Sequence, residues 1–582
     1  MQNFFRFRIP ALFCALSVLC CELISRPFAD MGVCDDATYA VIVKTVASTG
    51  HIVYNGWATA MLGWQLYLAA AFVKLFGYSL TTVRMSTVFT AMAIAFVLQR
   101  TLVRANISER NATIGTLAFV LSPLYLMLSA TFMTDIYGVF ALVICLYGCL
   151  RALQSTTGNS SIAWLCFAVA TNAVFGTARQ VAWLGILVMV PSTLWLLRSR
   201  RSVLVGGTAA TLAGTFFVLA CMRWFSHQPY SVPLHVLPAS FPLSIVLWEF
   251  IHALLEFPFL LLPLAAVFLP EIRRSRPRIV AIVCTTLAAY FFLSFYPSHI
   301  RHSFLLQPTL GNWVSVEGLY ETVPKGDPPD FLSTSVRALV TIISLGGLLG
   351  VFASLLRGPQ TTQPTPSPTA VSWKQLFVLL VPHSIAYCLL LLPLASAAGI
   401  YDRYFPTLIA IAMLCLVRCY QDYVQPKLPI STTFLVAIMA VYGIAATHNM
   451  FALDRARVAL AAELRANNIP DTAVDNGWEY NFSVELQHAP AINFPAITNP
   501  QNFYSPTPPL PAGRCIMFWY NYTPHIRPLY STSFDPNACY GPAPFAPVHY
   551  SRWLASQPGT LYVVNFLPPK QQPLAGAILE RR

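Results

Sequence analysis

The chain has 582 residues, of which 56% are hydrophobic and 10% charged, and its 36 Lys and Arg against 23 Asp and Glu give a formal net charge of +13. So few charges cannot clothe a water-soluble protein of this length. The basic excess does not mark a nucleic-acid binder either, because Arg and Lys punctuate apolar runs instead of clustering on one soluble face.

Residues 1–10, with Arg6 and Arg8, lead into an apolar stretch ending near Ile24. Glu22, Arg26 and Pro27 stand where a signal-peptide cleavage site would need small residues, so a retained first helix is expected. Further apolar runs approach the roughly 20 residues that cross a bilayer core. About 13 spans are expected, centred near residues 17, 92, 121, 143, 169, 189, 213, 256, 288, 344, 386, 411 and 439.

With Arg6 and Arg8 in the cytoplasm and sides alternating, Arg100, Arg104, Arg110, Arg151, Arg357, Lys374, Arg418, Lys427 and the basic clusters at 198–201 and 273–278 share the N-terminal side. That is the positive-inside pattern. Asp30, Asp35, Asp36, Asp135, Glu317, Glu321, Asp327, Asp330 and Asp402 sort to the other side, where the chemistry is expected. An odd number of spans also puts everything after about residue 449 outside.

The first outer loop, residues 26–82, holds the adjacent carboxylates Asp35 and Asp36. Side-by-side carboxylates suit a general base or a cation site, and equally suit a solvated loop that caps the next helix. Asp135 follows Thr134 between two spans, where it must lie at the rim, as a reactive acid or as an ordinary helix N-cap. Arg179 interrupts a long apolar stretch at an outer turn, where a guanidinium can hold a phosphate bidentately or simply snorkel to the interface. Residues 399–406 place Tyr401, Asp402, Arg403 and Tyr404 in another tight outer loop, as site residues or interfacial anchors. His299, Arg301 and His302 suggest metal or phosphate, or only loop polarity. Residues 358–368 read as a polar, Pro-rich cytoplasmic spacer.

Beyond residue 448 no run is long enough to span, and prolines are frequent. The chain therefore divides into a transmembrane domain, 1–448, and a small α+β domain, 449–582. In the latter a helix is expected over 450–467, with strand and turn over 473–480 and 561–566. Cys515 and Cys539 are its only thiols; paired in an oxidising compartment they close a loop worth roughly 3 kcal/mol, and otherwise they are free. Trp478, Trp519, Tyr520 and Tyr522 suit sugar stacking or core packing. Asn481-Phe-Ser and Asn521-Tyr-Thr match the N-glycosylation pattern.

In order along the chain, Asp35-Asp36-Ala-Thr-Tyr39, the stretch from Leu75-Phe-Gly77 to Arg84, Thr134-Asp135, Arg179-Gln180 and Tyr401-Asp-Arg403-Tyr404 resemble the bacterial membrane glycosyltransferases of the C-type (GT-C) fold. These include relatives of protein O-mannosyltransferases and of the transferase that adds aminoarabinose to lipid A. The resemblance covers roughly residues 1–450. It implies an all-α polytopic enzyme of the bacterial inner membrane, with its C-terminal domain extracytoplasmic. Such an enzyme performs an inverting transfer from a polyprenyl-phosphate sugar to a lipid, protein or glycan acceptor.

By the same resemblance Asp35 and Asp36 are the catalytic acidic pair and Asp135 the second acidic position. Arg84, Arg179 and Arg403 attend the donor phosphate, while Tyr39, Tyr401 and Tyr404 line the substrate. Many relatives carry a further acid and prolines after the first-loop helix, and some use that acid with a metal. Residues 53–64 here lack both, so a divalent metal stays open and no metal ligand is assigned. A transporter or flippase of lipid-linked sugars is the rival reading; it would need ionisable groups at mid-membrane and repeated halves with broken helices, and neither is evident.

Overall fold

The computed structural model describes residues 8–232, 242–294, 306–319, 324–358, 370–397, 399–510, 513 and 515–568. His299, Arg301, His302 and most of the 358–368 spacer lie outside the described residues.

Among the described residues eight helices are long and apolar enough to cross a membrane: Leu80–Arg104, Thr134–Gln154, Gly158–Ala178, Arg201–Ser226, Leu243–Leu260, Thr334–Arg357, Trp373–Ala395 and Ile430–Ala466. A ninth is counted if Glu109–Val120 and Pro123–Ser129, bent by 67° about Leu121 and Ser122, are one span. The expected centres at 17, 189, 288 and 411 also fall in helical segments. Three of these, Ile9–Ser25, Gln180–Leu196 and Pro277–Tyr290, are short, and the fourth, Pro406–Tyr423, carries Arg418 and Asp422. Thirteen is thus a count of apolar runs, several of which the backbone breaks or shortens. At Pro123, for example, the ring fits the first turn of a new helix, whose N-cap Ser122 accepts from Tyr125 N.

Leu80–Arg104 is central, packed on Ile9–Ser25 and on Thr134–Gln154, which in turn packs on Gly158–Phe175. Its start is set by Ser79, whose hydroxyl accepts from Thr82 N at 3.0 Å. The first loop is not irregular throughout: it folds into the helices Asp36–Thr49 and Gly63–Phe76, which pack on each other.

Ile430–Ala466 joins the two parts of the chain, so the boundary expected at residues 448/449 lies inside one 37-residue helix. Ile430, Phe434, Ile438 and Val441 are exposed at spacings of three and four, forming a single apolar stripe suited to lipid. Beyond it Leu453, Leu460 and Leu464 turn into a second core with Val474, Ile526, Leu561 and Val563. That core is covered by a four-stranded sheet, ordered Val474–Asp475, Tyr530–Ser533, Gly559–Asn565, Val548–Tyr550. The first pair is parallel and the other two antiparallel. Lys325, from the loop before Thr334–Arg357, bridges the sheet at Ser533 and pairs with Asp475 at 2.8 Å. Cys515 and Cys539 are disulfide-bonded.

Candidate functional site

The residues between Ile9–Ser25 and Asp36–Thr49 are tied to both parts of the molecule. Met31 is buried in the core of the C-terminal part. At Gly32 an added Cβ would lie 2.4 Å from the Ala37 Cβ and 3.3 Å from the Glu479 Cβ, so only glycine lets the chain pass between them.

The neighbouring carboxylates then point to different places. Asp36 is fully buried: Oδ1 accepts from Val33 N at 2.7 Å, and Oδ2 accepts from Arg84 Nε at 2.8 Å and Phe132 N at 3.4 Å. Arg84, equally buried, uses Nη1 and Nη2 to hold the carbonyls of Ala29 and Met31 at 3.0 and 2.7 Å. This closed pair stitches residues 29–36 to Leu80–Arg104. Asp36 and Arg84, expected at the substrate and the donor phosphate, are bonded here to each other and to backbone groups, and Arg84 also lines an apolar cavity with Glu22, Phe28, Phe72 and Phe89.

Asp35 turns outward. Its Oδ1 accepts from Trp57 Nε1 at 2.7 Å and its Oδ2 from Arg403 Nη1 at 3.3 Å, and both side chains of this ion pair retain 13% exposure. Arg403 Nη1 also lies 3.4 Å from Cys34 Sγ. Burial pushes the Cys34 thiol well above its ordinary range. Tyr39 is buried beside this group, and its phenol is likewise raised, by burial first and by the Asp35 carboxylate second.

Arg403 is presented by the turn Asp402–Tyr404. The buried Asp402 carboxylate accepts from the amides of Trp313 (3.2 Å), Val314 (2.6 Å) and Arg403 itself (2.7 Å), which pins the turn. Tyr387 donates its hydroxyl proton to the Tyr404 carbonyl at 2.6 Å. The Tyr404 ring then lies between two cations, with Arg403 at 5.4 Å and Arg179 at 5.3 Å from its centre, and Tyr401 flanks Arg403 at 5.7 Å.

Arg179 owes its position to an irregular stretch. It sits with extended backbone between the short 3-10 turns Gly176–Ala178 and Gln180–Trp183, followed by a π turn over Gly185–Met189. Such breaks need replacement partners in an apolar setting. The buried Asn172 supplies them, with Nδ2 donating to the carbonyls of Ala141 and Ala182 at 3.0 Å and Oδ1 accepting from Ile186 N at 3.1 Å. Arg179 Nη1 pairs with Asp135 Oδ1. Gly138, one turn along from Asp135, leaves the space this requires, since a Cβ there would meet Arg179 Cδ at 3.2 Å.

The outcome is a row, Asp35, Arg403, Tyr404, Arg179, Asp135, drawn from four distant parts of the chain. A narrow cleft of about 10 Å³ lies at the Arg403, Arg179 and Asp135 end of the row, lined also by Gly138, Tyr387 and Thr407. Arg403 Nε and Asp135 Oδ2 are buried there without a hydrogen-bond partner among the described residues. Buried polar atoms are normally satisfied, so two orphans of opposite sign on one cleft point to a polar ligand.

The arrangement does not fit a divalent cation. Among the described residues no three His, Cys, Asp or Glu side chains gather, and Asp35 and Asp135 are each paired with a guanidinium group. Of the expected residues, Asp35, Asp135, Arg179, Arg403 and Tyr404 meet; Tyr39 and Tyr401 adjoin them; Asp36 and Arg84 stand behind. Trp57, Tyr387, Gly138 and Asn172 were not anticipated. Asn172 carried a signal, a lone amide inside an apolar run; Trp57 and Tyr387 carried none.

No family model matches this chain, and no curated protein sequence does. Among solved structures it is similar to ArnT from Cupriavidus metallidurans in the apo state (16% identity, 80% of this chain and 82% of that one, TM-score 0.41) and to the same protein bound to undecaprenyl phosphate (12%, 97% and 99%, 0.39). A third is the Archaeoglobus fulgidus oligosaccharyltransferase in complex with Zn and sulfate (13%, 88% and 62%, 0.42). With every TM-score below 0.5 these likenesses are too loose to carry chemistry across, and the functional reading stands on the chain's own geometry.

Proposed function

We propose that the protein is a membrane glycosyltransferase that moves a sugar from a polyprenyl-phosphate donor to an acceptor at the extracytoplasmic face, with inversion at C1. The observation that carries this reading is the row Asp35, Arg403, Tyr404, Arg179, Asp135, in which a half-sealed carboxylate pairs with Arg403, whose Nε is unpartnered among the described residues, and a second guanidinium, Arg179, meets the same Tyr404 ring.

Two cations and two carboxylates balance in this row. A phosphate diester entering the cleft offers Arg403 and Arg179 better partners, because its oxygens accept forked hydrogen bonds and its charge is retained at every pH of interest. Arg403 moving from Asp35 to the phosphate frees Asp35 Oδ2, which Trp57 continues to orient through Oδ1. Asp35 then accepts the proton of an acceptor hydroxyl as its oxygen bonds to C1. The C1–O bond to phosphate breaks with its electron pair leaving on the phosphate, where the two guanidinium groups stabilise the developing charge. Asp135 holds Arg179 in place, while Asp36 and Arg84 are positioning residues that fix the loop carrying Asp35.

Membranes containing the full chain, given a polyprenyl-phosphate donor labelled in its sugar, are expected to release unlabelled polyprenyl phosphate and to pass the label to an envelope acceptor. Arg403→Ala is expected to lower this transfer at least tenfold. Sugar-lipid crossing of the bilayer with no product, in either protein, would contradict the proposal and favour a flippase.

A further inference from the structure

The aromatic residues of the C-terminal part divide into packed and exposed members. Trp57, whose indole N–H is held by Asp35, is the hub: Phe482 lies 4.6 Å from it, Tyr522 6.2 Å and Trp519 6.3 Å, ring centre to ring centre, all three edge-on. Phe482 is fully buried and belongs to the core. Trp519 is 48% exposed, and beside it Phe518 and Ile516 are 63% and 67% exposed. Three large apolar side chains within four residues, on a part of the chain that no membrane-length helix crosses, are an unusual exposure.

The exposure is built. Cys515 is disulfide-bonded to Cys539, Met517 is buried, and Tyr522 N donates to the Trp519 carbonyl at 2.9 Å. Between these anchors Trp519 sits at φ +64°, a left-handed conformation that bulky side chains rarely adopt. Its surroundings hold the indole out instead of letting it fold into the core.

We infer that Trp519 and Phe518, continuous through Trp57 with the Asp35 carboxylate, form a platform on which sugar rings of a glycan acceptor stack; this rests on the proposed transfer and names its acceptor class. A pyranose has an apolar C–H face and a rim of hydroxyl groups. The half-exposed Trp519 indole offers a flat face to the C–H side of such a ring, and the exposed Phe518, one of whose faces carries the Lys325 ammonium 5.6 Å from its centre, lies next to it in the chain. Trp519 meets the ring of Trp57 edge-on at 6.3 Å, and Trp57 donates to Asp35 at 2.7 Å, so a sugar stacked on Trp519 is bound beside the residue that holds the proposed base.

The test is binding of soluble maltotetraose, chitotetraose and mannotetraose to the purified full chain in nanodiscs, read by ligand-observed NMR. At least one is expected to bind, with affinity reduced about tenfold in Trp519→Ala, the scale of one aromatic stacking contact, and largely restored in Trp519→Phe. Equal binding by Trp519→Ala and the unsubstituted chain, or no binding of any of the three, overturns the platform. Quenching of Trp519 by brominated lipid in the nanodisc, indifferent to oligosaccharide, also overturns it and makes the residue an interfacial anchor. Transfer activity is scored separately: its absence with platform binding intact sinks the catalytic reading alone, and the reverse result sinks only the platform.

Discussion

Truncating Asp36 to Ala isolates the claim that the two adjacent acids do different work. The substitution removes the carboxylate that satisfies Arg84 Nε at 2.8 Å and Val33 N at 2.7 Å in a site where Asp36 is 0% and Arg84 3% exposed. Leaving one member of a buried ion pair uncompensated costs about 3–5 kcal/mol, and an orphaned amide about 1–3 kcal/mol more. Arg84 keeps the carbonyls of Ala29 and Met31, so a loss near the low end, about 4 kcal/mol, is expected. The assay is equilibrium unfolding of the full chain in mixed micelles titrated with dodecyl sulfate, for Asp36→Ala, Arg84→Ala and the double variant. The double variant is expected to be at least about 2 kcal/mol more stable than the sum of the single losses predicts. Additive losses, or an Asp36→Ala loss below about 1 kcal/mol, would refute the view of Asp36 as a structural counter-ion.

Trp57→Phe keeps the ring cluster but removes the donor to Asp35 Oδ1; transfer is expected to fall about tenfold, the value of a hydrogen bond to a charged group, with little change in unfolding midpoint. Asn172→Leu removes the side-chain partner of the Ala182 carbonyl and of the Ile186 amide, and is expected to cost about 2–4 kcal/mol and to abolish transfer by releasing the turn that carries Arg179. Gly138→Val is expected to push Arg179 away from Asp135 and lower transfer while the chain stays folded, as judged by gel filtration and unfolding. Cys539→Ser is expected to lower the stability of the C-terminal part by about 3 kcal/mol, seen as faster proteolysis beyond residue 466.

Much of the helical frame was legible because apolar length is a strong signal: all thirteen expected centres fall in or beside helices. What composition could not show was where backbone breaks leave a run short, as at the 3-10 and π turns around Arg179, since those depend on an amide, Asn172, finding three backbone partners in space. The continuous helix Ile430–Ala466 also runs through the expected boundary: the uncharged run ends before Asp454, Arg455 and Arg457, but the helix does not end with it. In the site, charged residues stood out from apolar surroundings, and four of them, Asp35, Asp135, Arg179 and Arg403, meet around Tyr404. The division of labour between Asp35 and Asp36 was invisible, because adjacent residues at a helix start point in different directions and only the position of Arg84 decides which carboxylate is sealed. Asn481, which matches the glycosylation pattern, proves to be buried and bonded to Asp475, a fate no local pattern encodes.

The central claim is that Asp35 takes the acceptor's proton. The most direct measurement is single-turnover sugar transfer from a polyprenyl-phosphate donor by the purified full chain and by Asp35→Asn, with donor binding measured in parallel. The account predicts unchanged or tighter donor binding and a transfer rate lower by about a thousandfold, within the span of general-base catalysis; transfer at an undiminished rate by Asp35→Asn would contradict it.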